Sequence, residues 1–309
     1  MPASGLSLWV MTFVTLLILI ACLTAAWGPG HHLEFAERVY RRRRELLPAN
    51  RAKLLAAERE AYLYGNIAAD IINMKAYGGH RNHCHRWTIV EEMREHAEGT
   101  PAEEAFILGY LSHLAADTIA HNHFVPYHLV RFARGKGLGH VYWEMSADRY
   151  VPERRWDIIS RLRNRAELDG LDELVNRTVP RKALPMGANK LIFNHVLLVS
   201  HRTAWRRGME RIHPIGKVRL EKGFLSRFQK AAVDRVRLSM HPRGFRRLLH
   251  LDTNGKAAQK EAARLRKRLV QEHPAGAARD AHAEQLAAPF LEGMQSPPPD
   301  HKSGSPHWG

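Results

Sequence analysis

The chain has 309 residues and a hydrophobic content of 45%, enough to bury a core as one large domain or two smaller ones, which excludes an intrinsically disordered protein. Its 47 Lys/Arg against 31 Asp/Glu give a net charge of +16, a balance that suits anionic partners such as phospholipid headgroups or nucleic acid without choosing between them. The excess is local: residues 201–250 hold 14 Lys/Arg against 3 acids, which makes either a solvated basic helical face or a surface for an anionic partner.

Residues 1–26 read as a signal peptide or an uncleaved membrane anchor, because Leu8 to Ala26 is nearly all apolar and carries no charge. The small residues of Thr24-Ala25-Ala26 favour cleavage before Trp27 and a secreted or periplasmic protein, whereas the lack of Lys or Arg ahead of the apolar run speaks for an anchor. Leu19-Ile20-Ala21-Cys22 also resembles a bacterial lipoprotein box, in which Cys22 would be lipidated. Only Cys22 and Cys84 are present, so a cleaved chain has no internal disulfide, and a multinuclear metal cluster can supply the missing stabilisation.

From Leu33 to about Gly244 apolar residues recur at three- and four-residue spacing, which predicts an all-α domain of six to eight helices over residues 27–250. Helices are expected at Leu54 to Ile72, Ala102 to His121, Tyr142 to Tyr150 and Lys190 to Arg207, separated by Gly and Pro breaks. Residues 251–309 begin with a basic helix to about Glu272 and continue as a Pro/Gly/Ser-rich tail expected to be disordered.

The chemistry-bearing residues cluster in the first half. In GYLSHLAADTIAHNHFVP, His113, Asp117 and His121 recur every fourth residue and so share one helical stripe. Imidazole and carboxylate groups on adjacent turns can converge on one or two divalent ions, and zinc accepts that mixture. In HVYWEMSAD, His140, Glu144 and Asp148 form a second stripe of the same spacing, and a glycine-rich loop lets the two helices face each other. Asp70 closes an apolar helix upstream, and His80, His83, Cys84 and His85 follow as competent ligands among which spacing does not choose. A free amine on Trp27, next to His31 and His32, would add a further nitrogen donor.

In this order the residues resemble the bacterial zinc-dependent phospholipase C family, which shares its multi-helix fold with S1/P1 nucleases. The likeness covers Trp27 to Asp148 by motif. It implies two or three Zn2+ ions, with Trp27, His32 and Asp117 at one, Asp70, His85, His113 and bridging Asp117 at a second, and His121, His140 and Glu144 at the third. It implies Asp70 as the catalytic base. His83, His123 and Asp148 are alternates: the phospholipase spacing after Asp117 selects His123, the helical stripe selects His121, and an aromatic residue close behind favours His85 over His83. The implied activity is phosphodiester hydrolysis on phospholipid headgroups at a membrane surface, by a monomer. An S1/P1-type single-strand nuclease, acting on nucleic acid, and a non-catalytic metal-binding membrane module are the alternatives.

Overall fold

A computed structural model describes residues 27–72, 84–132, 143, 146–163, 165–179, 182, 184–201 and 220–294. These residues form helices and no strand, as the periodicity requires. In chain order the α-helices are α1 (Pro29–Arg41), α2 (Arg43–Leu46), α3 (Ala49–Ala57), α4 (Arg59–Ala68), α5 (Thr88–His96), α6 (Pro101–Ile119), α7 (Val125–Arg131), α8 (Glu153–Arg163), α9 (Asp169–Thr178), α10 (Met186–His201), α11 (Lys222–Ser239), α12 (Pro242–Arg246), α13 (Lys256–Glu272) and α14 (Ala277–Ala287). A π-helical turn, Ala120–Phe124, joins α6 to α7.

Helix α6 is the axis of the core. Thr100 accepts from the Glu103 main-chain N–H while the Glu103 carboxylate accepts from that of Thr100, a reciprocal cap that satisfies two otherwise orphaned donors, and Pro101 starts the helix. Beyond this cap every residue from Ala105 to Ile119 is buried, and such a helix needs neighbours on all sides. Helices α4 and α11 pack along it, and α1 lies against both of them. The site residues on α6 therefore face protein rather than water.

Several expected boundaries shift. Leu54 to Ile72 is not one helix: Glu58, at φ −113° and ψ 46°, leaves the helical region and separates α3 from α4. Twelve α-helical segments among the described residues of 27–250 replace the expected six to eight, because breaks of this kind divide longer amphipathic runs. The expected tail begins too early, since α14 and a 3-10 turn at Ala288–Leu291 occupy it, with Ala283 and Ala287 buried. Its Pro/Gly/Ser composition hid an Ala-rich helix that packs against α7 and α13. No helix among the described residues is long and apolar enough to cross a membrane, and residues 1–26, with Cys22, lie outside them.

Candidate metal centre

Four pieces of chain bring donors to one buried point. Helix α1 starts at Pro29, after Trp27 and Gly28, and carries His32 in its first turn. Asp70 sits in the turn after α4, where its N–H bonds to the Ile67 carbonyl at 3.3 Å. His85 precedes α5, in a loop held by the bond from Tyr110 Oη to the Cys84 carbonyl at 2.7 Å. His113 and Asp117 lie one turn apart on α6, and His121 falls in the π turn.

Asp117 is the centre of the arrangement. Its Oδ1 is 3.2 Å from His32 Nε2, while its Oδ2 is 3.2 Å from His113 Nε2, 3.4 Å from His85 Nε2 and 4.0 Å from His121 Nε2. His85 Nε2 also lies 3.0 Å from His113 Nε2 and 3.3 Å from Asp70 Oδ1. The His32 ring stacks on His113 with centroids 3.7 Å apart. His113 Nδ1 is 2.9 Å from the Asn66 carbonyl; as a carbonyl only accepts, Nδ1 carries the ring proton and Nε2 keeps its lone pair toward Asp117.

Two observations test whether these residues fit zinc. Both ring nitrogens of His32 and both oxygens of Asp117 are buried without a hydrogen-bond partner, an arrangement that costs free energy unless something else meets those lone pairs. Donors held about 2.0–2.1 Å from a tetrahedral zinc stand roughly 3.3 Å apart. The spacings among His85, His113, Asp70 and Asp117 run from 3.0 to 3.9 Å and bracket that value. The residues present therefore fit the group: one set comprises His85, His113 and Asp117, another His32, Asp70 and His113.

The electrostatics agree with ligand roles. Burial, reinforced by the neighbouring His113, lowers the pKa of His32 against the pull of Asp117, so the neutral, metal-binding imidazole is favoured. Burial alone would raise Asp117, but His113 and His32 beside it hold its carboxyl well below the usual carboxylate range.

The remaining expected residues lie beside the cluster, away from it, or outside the described residues. Trp27 is fully buried, stacked on Phe124, and its indole donates to the Ala116 carbonyl at 3.3 Å, next to Asp117 in the chain. His123 Nδ1 bonds to the Phe290 carbonyl at 2.8 Å, directed away from the cluster that His121 faces. Asp148 bonds to His31 Nδ1 at 2.6 Å and presses on Gly28, where an added methyl would meet Asp148 Oδ2 at 1.9 Å. His80, His83, His140 and Glu144 lie outside the described residues.

With this geometry in place, comparison with known families is decisive: residues 31–184 match the family model for zinc-dependent phospholipase C. Through these residues the chain belongs to that family. No curated protein and no solved structure matches. The family match supports a zinc-dependent phospholipase, implies a hydrolase of phosphodiester bonds with lipid as the suggested substrate, and gives the single-strand nuclease alternative no support.

Parts of this candidate metal centre had no sequence signal. His31 and His32 are adjacent, about 100° apart around the helix, so only one can face Asp117. His31 turns instead between Asp148 and Gln229, whose Nε2 is 2.9 Å from His31 Nε2. The Asn66 carbonyl that orients His113 and the side chain of Gln259 beside His121 come from distant parts of the chain.

Proposed function

We propose that the chain is an exported phospholipase C that cleaves the phosphodiester between the glycerol and headgroup phosphate of a membrane phospholipid. The observation that carries this reading is Asp117, whose two buried oxygens lack hydrogen-bond partners and face His32 on one side and His85, His113 and His121 on the other. In this reading His32, Asp70, His85, His113, Asp117 and His121 hold two or three zinc ions, with Trp27, His140 and Glu144 completing the set as the family likeness implies. Bound zinc supplies Lewis-acid polarisation of a phosphoryl oxygen and an activated water near neutral pH.

The chain's own residues divide the remaining work. Asp70, with 14% of its side chain exposed against 0–3% for His32, His85, His113 and Asp117, stands at the solvent edge and accepts the proton of the attacking water. The water oxygen forms the new bond to phosphorus and the bond to the glycerol oxygen breaks; the departing oxygen takes a proton from solvent to give diacylglycerol, and Asp70, at the solvent edge, returns its own proton to solvent. Asn66 keeps His113 in one tautomer. The net charge of +16 brings the protein to anionic lipid.

The test uses the secreted, mature protein. Its N-terminal residue, its zinc content and its release of phosphorylated headgroup from phosphatidylcholine vesicles are measured with single-stranded DNA as a parallel substrate. The reading expects a start at Trp27, bound zinc and headgroup release that Asp117→Asn abolishes. Hydrolysis of DNA alone, or full zinc occupancy with no turnover on either substrate, would sink it.

A further inference from the structure

Residues Leu251–Gln259 lie beyond the family-matched region, yet they grip both sides of the metal centre. On one side Thr253 Oγ1 and Asn254 Nδ2 both donate to the carbonyl oxygen of His85, at 2.5 and 2.9 Å. Trp87, two residues on, donates from its indole to the Leu251 carbonyl at 2.8 Å. On the other side Asn122 Nδ2 donates to the Asp252 carbonyl at 2.7 Å and to the Thr118 carbonyl at 2.9 Å, tying the segment to the π turn that carries His121.

The same segment reaches the ring of His121. Gln259 Nε2 stands 3.0 Å from His121 Nδ1 and donates to the Asn254 carbonyl at 2.8 Å, so its amide is fixed from within the segment. Gly255, at φ +57°, lets the backbone pass so close that an added methyl would lie 2.3 Å from the His121 carbonyl oxygen. Asp252 braces the turn by accepting from the N–H groups of Asn254 and Lys256, at 2.9 and 2.7 Å.

Two donors on one carbonyl fix the plane of that peptide and hence the direction in which His85 leaves the backbone. A metal ligand has to be placed within a few tenths of an ångström of its working position, which the first contact sphere alone does not secure. We infer that Leu251–Gln259 is a positioning clamp of the metal centre, in which Thr253 and Asn254 set His85 while the bond from Asn122 to the Asp252 carbonyl holds the π turn that carries His121. The inference rests on the proposed reading of His85 and His121 as zinc ligands. It places the limit of the metal-binding unit beyond the region that the family shares. An ordinary packing role for this turn would change the melting of the protein and leave zinc binding alone.

The experiment compares the full-length wild type with two variants: Thr253→Val combined with Asn254→Ala, and Thr253→Ser. Zinc affinity is read by competition with a chromophoric chelator, ligand geometry by the visible spectrum of the cobalt(II)-loaded protein, and folding by the melting of the metal-free form. The clamp predicts that the double variant loses about 10- to 100-fold in zinc affinity and changes the cobalt bands. Thr253→Ser, which keeps the donor, retains the wild-type affinity. Arg264→Ala, in the exposed pair with Glu261 further along α13, also retains it. Wild-type zinc affinity and cobalt spectra in the folded double variant overturn the clamp while leaving the proposed metal centre intact. A wild type that takes up no zinc overturns both.

Discussion

Gly65 and Gly109 touch where α4 crosses α6: a methyl group added at Gly65 would lie 2.1 Å from the Phe106 carbonyl oxygen and 3.0 Å from Gly109 Cα. The crossing brings Asn66 beside His113. Helix propensity alone predicts that Gly109→Ala stabilises the protein by roughly 0.5–1 kcal/mol. The added methyl, however, would sit 2.2 Å from the Tyr62 carbonyl oxygen, and neither backbone can give way alone. We expect a net loss of about 2 kcal/mol in denaturant unfolding, within the usual range for overpacking, together with weaker zinc binding. An unchanged or raised midpoint would show that the helices separate without cost.

His113→Ala and Asp117→Asn remove the donor that faces Asp117 and the central carboxylate itself. Each variant is expected to lose zinc on elemental analysis and to melt lower than the zinc-loaded wild type, because metal-binding free energy is folding free energy. His241→Ala is the control: its Nε2 bonds to the Leu46 carbonyl at 3.1 Å, away from the cluster, so zinc content should stay at the wild-type level.

His128 is enclosed by Phe124, Phe132, Trp143, Phe224 and Phe228, and burial pushes its pKa from 6.5 down to about 3. The unfolded chain therefore takes a proton on this ring at a higher pH than the folded one. The neutral ring's stability is fully present above pH 6.5 and is lost as pH falls toward 3. At pH 5 the loss is about 2 kcal/mol. His128→Phe should remove that part of the slope, which denaturation midpoints at pH 7 and pH 5 will reveal as a smaller drop than in the wild type.

Arg155, 2% exposed, joins α8 to α1 by donating to Glu34 at 2.6 Å and Glu37 at 3.1 Å. Arg155→Met leaves two buried carboxylates with fewer partners. The expected cost is about 3 kcal/mol, the low end for breaking a buried ion pair, because Arg38 and Arg59 still contact Glu34 and Glu37. Chemical denaturation that places the variant within experimental error of the wild type would show that the surface arginines suffice.

The helical character and the ligand stripe on α6 were legible because a four-residue repeat of His, Asp and His needs only local geometry to align. Asp70 was legible for the same reason, as the last polar residue of an apolar run. The choice between His121 and His123 was not, since it depends on the π turn and on the Phe290 carbonyl, far away in sequence. The partner of His31 and the grip of Thr253 and Asn254 on His85 arise only when chain segments more than 100 residues apart meet. The helix at Ala277–Ala287 was obscured by the Pro and Gly residues around it, which outweighed a short Ala-rich run in the compositional reading.

The π turn at Ala120–Phe124 fits one surplus residue into what would otherwise be a continuous rod. The wider turn absorbs that residue locally, so α7 keeps the bearing it would have in an unbroken helix. Only the side chains inside the turn change their facing, which is where His121 is aimed toward Asp117 and His123 toward the Phe290 carbonyl. The irregularity thus re-aims two imidazoles while leaving the aromatic packing around His128 in register.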